Sequence, residues 1–267
     1  MINVQNIKTP HTPGVVRADA PCLCVTRPQP AAACTAAMLQ TQGYATYEAP
    51  VLRIRVLDAN ALAPLSAAAR QCMHVILTSQ HAVGALQVYA PAHDAMLWVP
   101  GEATADAVRA VGYRRVRLSP DGTMRGILTA LGAHLRTAHG AQHVVYLRGT
   151  HTALPVHEKD RALPSQVVLH ERVVYEALPI AAFSAEALAQ LAEGAWQGVL
   201  LFSPRSAQQF CSLIPQSHRP HVQRMRAVCL SGAVAQVCEP SWWRSVHVPE
   251  CPSWPGMMAC IQKVWPV

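Results

Sequence analysis

Polar side chains follow several apolar segments of this sequence at the points where each segment ends. Ser79 follows ILT and Ser203 follows LLF, and each stands directly before a segment with helical apolar periodicity. A hydroxyl beside the unpaired amides of a helix N-terminus can bind a carboxylate. Each serine taken singly is equally consistent with a plain helix N-cap. The recurrence of the same arrangement favours a binding role for both.

Three further residues suit anion binding. Thr104 follows Gly101 in PGEATADAV, where we expect a tight turn with positive φ at the glycine to lead into a helix. Arg27 ends LCVTR, while Arg148 and Gly149 end VVYLRG, which places two guanidinium groups at corresponding strand ends. A guanidinium can bind a carboxylate through two parallel hydrogen bonds. The alternative for each arginine is an ion pair with an acid on a helix.

Tyr175 lies on an extended segment, VVYEALP, and its phenol could donate a hydrogen bond or act as an acid. Spacing alone favours a packing role for it. The 13 histidines form no HExxH pattern, and His151 and His157 lie in a loop broken by proline. No P-loop, GxGxxG or GxSxG motif is present. We therefore expect no metal, no nucleotide cofactor and no serine-hydrolase chemistry.

The elements that would position these residues occur twice along the chain. The segment LTSQHAVGAL at 77–86 is echoed by LFSPRSAQQF at 201–210, and PGEATADAV at 100–108 is echoed by SGAVAQVC at 231–238. Each copy alternates strands with helices, which predicts two α/β domains with parallel sheets. The repeat leaves open which halves pack together. Extended segments rich in β-branched residues, from Tyr44 to Val56 and from Val167 to Leu178, are predicted to connect the domains as a hinge.

The second copy has lost polar groups. SGAVA places Ala233 and Val234 where hydroxyls are expected, although the backbone amides from Ser231 to Val234 could still bind an anion. Ser231 and Val234 therefore remain candidate binding residues.

Composition limits the partners. The 267 residues carry a net charge of +7, which attracts anions, but the arginines are scattered rather than gathered with aromatics, so nucleic acid is the weaker partner. Nine cysteines without a CxxC pair indicate reduced thiols and a cytoplasmic location. No stretch of about 18 apolar residues is present, and the start is polar, so we expect neither a membrane span nor a secretion signal.

Taken in order, these motifs resemble the uroporphyrinogen-III synthase family over about residues 22 to 262. The segments that carry the resemblance are VTRP, ILTSQHAV, VPGEATADAV, SPDGTMRGIL, VVYLRG, VVYEALP, LLFSPRSAQQF, AVCLSGAVA and VPECPSWPGMM. The resemblance implies two flavodoxin-like, doubly wound domains joined by a two-stranded β linker. One domain would take 21–46 with 178–267, the linker 47–56 and 167–177, and the other domain 57–166. Residues 1–20 would be extended or disordered.

The resemblance also implies an activity: hydroxymethylbilane would be cyclised with loss of water and inversion of ring D through a spiro intermediate. Tyr175 would be the acid, with Ser79, Thr104, Gly149 and Ser203 lining the binding cleft. Such a lyase needs no cofactor, and we expect a monomer that receives its substrate by hand-over from hydroxymethylbilane synthase. SGAVA departs from the Gly-Pro-Thr-Thr-like turn of the family. A non-catalytic protein that binds a tetrapyrrole or another anion is therefore the alternative.

Overall fold

The structure is a computed structural model that describes residues 19–151 and 162–267. The prediction for residues 1–20 falls almost entirely outside this range, as does His157. The described chain alternates strands with helices, as the sequence predicts.

The strands are β1 Cys22–Val25, β2 Ala45–Glu48, β3 Leu52–Val56, β4 His74–Leu77, β5 Met96–Val99, β6 Val116–Leu118, β7 Gln142–Gly149, β8 Val167–Pro179, β9 Gly198–Leu201, β10 Arg226–Cys229 and β11 Ser245–His247. The α-helices are α1 Ala31–Gln40, α2 Ala67–Arg70, α3 Ala85–Tyr89, α4 Glu102–Ala110, α5 Met124–Leu135, α6 Ala185–Ala192, α7 Pro204–Leu213, α8 Arg219–Val222, α9 Gly232–Ala235 and α10 Trp254–Val264. Short 3-10 helices span Ala59–Ala61, Gln80–Ala82, Gln216–His218 and Pro240–Trp242.

The chain forms two compact units, and the first takes the described residues up to Arg53 together with Pro179–Val267. Its five strands lie in the order β11-β10-β9-β1-β2, with every neighbouring pair parallel. Counted within the unit from β2, this is the flavodoxin order 2-1-3-4-5. The winding reverses between β1 and β9, so these two strands flank the topological switch point.

The second unit, Ile54–Leu178, holds a six-stranded sheet in the order β3-β8-β7-β4-β5-β6. The strands from β8 to β6 pair in parallel and repeat the flavodoxin order, with β7 and β8 in the places of β1 and β2. Here the switch point lies between β7 and β4. The predicted fold class, two doubly wound parallel sheets with helices, is confirmed.

β8 has a larger part in the sheet than a connector would have. It pairs with β7 from Val167 to Tyr175, while β3 pairs with its other edge. The boundary between the units crosses β3 after Arg53 and β8 after Leu178. That these segments act as a hinge stays a prediction. Tyr44, at the start of the first extended segment, is a core residue of the first unit: its side chain is fully buried and its hydroxyl donates to the Trp265 carbonyl at 2.8 Å.

Burial explains why the sequence forms these sheets. The strands HVIL, MLWV and GVLL are buried along their whole lengths, because helices cover both faces of a doubly wound sheet. Hydroxyl caps mark where helices begin. Thr123, Ser184, Ser203 and Ser253 each accept a hydrogen bond from the backbone N–H three residues later.

Candidate functional site

The switch points gather the predicted residues at the carboxyl ends of neighbouring strands. In the second unit, Ser79 follows β4 and Gly149 ends β7, and these strands are hydrogen-bonded neighbours. In the first unit, Arg27 follows β1 and Ser203 follows β9, which are also neighbours. Ligands of doubly wound sheets bind at this edge, where the loops separate. The fold thus forms two clusters, one in each unit.

A β-bulge brings Tyr175 to Gly149. The register of β7 with β8 shifts between Arg148 and Gly149, so that Gly149 lies opposite Tyr175 and Val174 becomes the extra residue. A β-bulge re-aims the side chain that follows it. The Tyr175 ring then occupies the space a side chain on Gly149 would need, since a Cβ there would lie 2.7 Å from the ring carbons Cε2 and Cζ. The tyrosine ring therefore packs against the backbone of Gly149.

The pKa of the Tyr175 phenol reflects its burial and two neighbouring groups. Burial raises the pKa of Tyr175 above its usual value, whereas hydrogen bonds from the Ser79 side chain and the Gly149 backbone partly oppose this rise in pKa. Ser79 Oγ already accepts the His81 N–H at 3.3 Å, so its own proton is available to Tyr175. Because burial has the larger effect on the pKa, the phenol keeps its proton and can donate it as an acid.

His81 completes this cluster, although we did not predict it from the sequence. Its imidazole lies against the Tyr175 ring, with the ring centroids 5.6 Å apart and the planes tilted by 56°. The only signal in the sequence is its place two residues after Ser79 in the repeated segment. Nothing in that spacing reveals a contact with a residue almost 100 positions later, which pairing of the strands creates.

Arg148 is already neutralised. Its Nε donates to the Glu171 carboxylate at 2.5 Å, and its Nη1 donates to the carbonyls of Gly149 and Thr150 at 2.9 and 3.2 Å. Both side chains of the ion pair are largely buried. The acid is on the neighbouring strand β8 rather than on a helix. These contacts match the ion-pair alternative for this arginine.

Thr104 lies in the first turn of α4, with only 6% of its surface exposed. The helix contacts the 3-10 helix Gln80–Ala82 that follows Ser79. Gly101 is the N-cap residue, and its φ of −169° is extended rather than positive. Our prediction of a positive φ at Gly101 is wrong, because the chain enters this helix through extended backbone, which any residue can adopt.

Arg27 contrasts with Arg148. Its Nη1 donates to Thr35 Oγ1 at 3.1 Å, and its guanidinium lies 4.8 Å from the centroid of the Phe202 ring. Burial lowers the pKa of Arg27 below its usual value. Within residues 19–151 and 162–267, no carboxylate pairs with it. A partly desolvated cation without a counter-ion is a suitable receptor for a carboxylate ligand.

Ser203 is the N-cap residue of α7. It directly follows Phe202, whose ring contacts the Arg27 guanidinium. Its Oγ accepts the Ser206 N–H at 3.1 Å and is hydrogen-bonded to Ser206 Oγ at 2.8 Å. Ser79 is likewise a cap in the structure. Both serines therefore meet the N-cap interpretation, which leaves a binding role compatible with their position at the switch points.

The loop with SGAVA offers less than we expected. Ser231 is the N-cap of α9, but its side chain makes no capping hydrogen bond. The Val234 side chain is 2% exposed, and its N–H donates to the Ser231 carbonyl at 3.0 Å. The Val234 amide is thus used inside the turn. A ligand at this loop would therefore contact Ser231 and the first backbone amides of α9.

The sequence from residue 34 to residue 259 matches the family described as "Uroporphyrinogen-III synthase HemD". The chain belongs to the uroporphyrinogen-III synthase family. The family acts in haem biosynthesis, and its members take a small tetrapyrrole substrate. No curated protein matches the chain.

A solved structure agrees in fold. The uroporphyrinogen-III synthetase of Helicobacter pylori 26695 is similar, with a TM-score of 0.57 and 13% identity, covering 92% of this chain and 99% of that one. A mutant uroporphyrinogen III synthase from the extremely thermophilic bacterium Thermus thermophilus has a TM-score of 0.46 and 15% identity, covering 91% and 100%. At these identities the first likeness supports the fold alone, and the second carries no argument.

Two negative findings apply to the described ranges. None of their helices combines the length and the apolar character needed to cross a bilayer. Their histidines, cysteines and acids form no group of three or more that could hold a metal ion.

Proposed function

We propose that the protein is a working uroporphyrinogen-III synthase, a lyase that cyclises hydroxymethylbilane with loss of water and inversion of ring D through a spiro intermediate. The observation that carries this proposal is the Tyr175 phenol, which the bulge brings over Gly149 at the carboxyl end of β7. Burial raises the pKa of Tyr175, so the phenol keeps its proton until the substrate takes it.

The proposed acid step uses this arrangement directly. The Tyr175 O–H gives its proton to the terminal hydroxyl of hydroxymethylbilane, the C–O bond breaks, and water leaves. The remaining substrate is an azafulvene cation. The phenolate is stabilised by the Ser79 hydroxyl and the Gly149 N–H. After spiro formation and rearrangement, ring D closes and its carbon loses a proton, which the phenolate takes back. General acid help of this kind contributes roughly 10²- to 10⁴-fold.

Substrate binding is proposed to depend on carboxylate contacts. Hydroxymethylbilane has four acetates and four propionates, and the desolvated Arg27 guanidinium lacks a carboxylate partner among the described residues. Ser203 at the start of α7 and Ser79 after β4 each offer a hydroxyl at the carboxyl edge of their own sheet. Arg148, by contrast, is proposed to hold the end of β7 through Glu171 rather than to contact the substrate.

The test is an assay in which hydroxymethylbilane is generated in situ by excess hydroxymethylbilane synthase and the products are oxidised and separated as type I and type III isomers. We expect type III from the wild type and its loss, by roughly 10²-fold or more, in Tyr175→Phe. Tyr113→Phe is the matched control, because that hydroxyl donates to the Pro91 carbonyl and lies outside the cluster. Type I alone from the wild type would refute the enzyme assignment.

A second candidate function is favoured by the SGAVA loop. The buried Val234 side chain and its internally bonded amide reduce the polar groups of the first unit. A non-catalytic protein that binds a tetrapyrrole or another anion would tolerate this loss. In that case the chain would bind uroporphyrinogen or hydroxymethylbilane but would leave the isomer ratio of spontaneous closure unchanged.

We further propose a cytoplasmic monomer that receives hydroxymethylbilane by hand-over from hydroxymethylbilane synthase. All nine cysteines are free thiols, which supports a reducing compartment. Sedimentation velocity, alone and with the supplying enzyme, measures both the oligomeric state and the hand-over complex.

A further inference from the structure

The His81 side chain lies beside the candidate acid. It is half-buried, and its ring centroid lies 5.6 Å from that of Tyr175 with a 56° tilt, within the range of favourable aromatic pairs. The His81 backbone N–H also donates to Ser79 Oγ at 3.3 Å. The imidazole thus contacts the tyrosine ring, while the backbone of the same residue binds the Ser79 hydroxyl.

The imidazole contact restricts motion of the Tyr175 ring. The residue follows a bulge, and Gly149 has no side chain to hold the ring, so neither feature limits ring motion away from the sheet. The His81 imidazole supplies a packing surface there.

We propose that His81 is a positioning residue for Tyr175 and that its imidazole holds the phenol ring over Gly149. This inference rests on the proposed function of Tyr175 as the acid. It assigns His81 no contact with the substrate and no proton transfer of its own. Losing the imidazole should therefore lower kcat and leave KM unchanged.

The first measurement reports on the ring without any activity. The protein is labelled with 3-fluorotyrosine, and the Tyr175 resonance among the six tyrosines is assigned by its disappearance in Tyr175→Phe. In His81→Ala and His81→Gln we expect this ¹⁹F resonance to shift and its titration to move toward that of exposed tyrosines, because water enters beside the ring. His81→Phe, which keeps a ring, should retain the wild-type resonance and titration.

A similar pair elsewhere supplies the control. His93 packs against Tyr113 with ring centroids 5.7 Å apart and a 48° tilt, outside the cluster. His93→Ala should shift the Tyr113 resonance and leave the Tyr175 resonance and the activity unchanged.

The second measurement is type III formation. We expect kcat to fall about 10- to 100-fold in His81→Ala and His81→Gln with KM within about twofold, since small misplacements of a reacting group have effects of this size. His81→Phe should recover most of kcat. An unchanged Tyr175 resonance in His81→Gln, or a normal kcat despite a shifted resonance, would overturn the positioning role. If the wild type forms only type I, the proposed function fails, while the ¹⁹F shift still decides whether His81 holds the ring.

Discussion

The missing side chain at Gly149 decides where the Tyr175 ring lies. A Cβ at this position would approach the ring carbons to 2.7 Å and the phenol oxygen to 2.9 Å, closer than real Cβ atoms come. The clashing atoms belong to a rigid aromatic ring, so the whole ring must move to relieve the clash, whereas a flexible side chain could move its end alone.

Gly149→Ala should therefore displace the ring and lower kcat for type III formation about as much as Tyr175→Phe, roughly 10²-fold or more. Gly84→Ala is the control, since that glycine has open space where a Cβ would lie and no positive φ. Both variants are first compared with the wild type by circular dichroism. Wild-type activity in a folded Gly149→Ala would show that the ring position does not matter for the reaction.

The two strand-end arginines should respond differently to replacement. Arg27→Gln removes a cation without a carboxylate partner in the described residues, so we expect KM to rise about 10- to 100-fold, as for a lost charge-assisted hydrogen bond. Arg148→Gln removes the ion pair that joins the end of β7 to the largely buried Glu171 side chain on β8, and it should mainly lower the melting temperature. A KM effect confined to Arg148→Gln would reverse the two assignments.

Secondary-structure elements position these groups by two devices. Parallel neighbours at each switch point end at the same edge, which brings Ser79 near Gly149 and Arg27 near Ser203 in their own units. The bulge in β7–β8 then sets the face on which Tyr175 lies. Helix and strand order followed from the repeats, whereas the bulge has no sequence signature, because a register shift depends on the partner strand.

The contact of β4, β5 and α5 should make stability sensitive to acid. His74 is buried, its Nδ1 accepts the Trp98 indole N–H at 3.3 Å, and the His134 ring lies 5.4 Å away. Burial, together with His134 and Arg115, lowers the pKa of His74 to about 4. Because the unfolded chain binds this proton near pH 6.5 and the folded chain does not, stability is present above pH 6.5 and is lost as the pH falls toward 4.

This difference in pKa corresponds to roughly 3 kcal/mol of unfolding free energy between about pH 6.5 and 4. Urea unfolding at several pH values measures it. In His74→Gln the decline with falling pH should be shallower, whereas replacement of the exposed His139 by Gln should leave it as in the wild type. An unaltered slope in His74→Gln would mean that other groups cause the acid sensitivity.

The charge of the whole molecule should affect substrate capture. A net charge of +7 attracts a substrate with eight carboxylates, and salt screens such attraction over about 10 Å at 0.1 M. With preformed hydroxymethylbilane, we expect KM to rise several-fold between about 0.02 and 0.5 M NaCl while kcat stays constant. The enzyme-free rate of type I closure is the control. A KM independent of salt would exclude long-range attraction as a contributor to binding.

Local and repeated features were sufficient to predict a large part of this protein. Apolar segments followed by Ser79 and Ser203 predicted strand-to-helix junctions, the repeats predicted two doubly wound sheets, and the ordered motifs led to the uroporphyrinogen-III synthase family. These properties depend on burial, periodicity and capping, which act between residues close in the chain.

Only the tertiary structure decided how the strand ends are used. It paired Arg148 with Glu171 while Arg27 kept no carboxylate partner in the described chain, and it placed Gly149 beneath the Tyr175 ring. It also brought His81 to Tyr175, a contact that composition and spacing did not suggest. The physical reason is that strand register and sheet order set distances between residues far apart in sequence, and a shift of one residue changes which side chains meet.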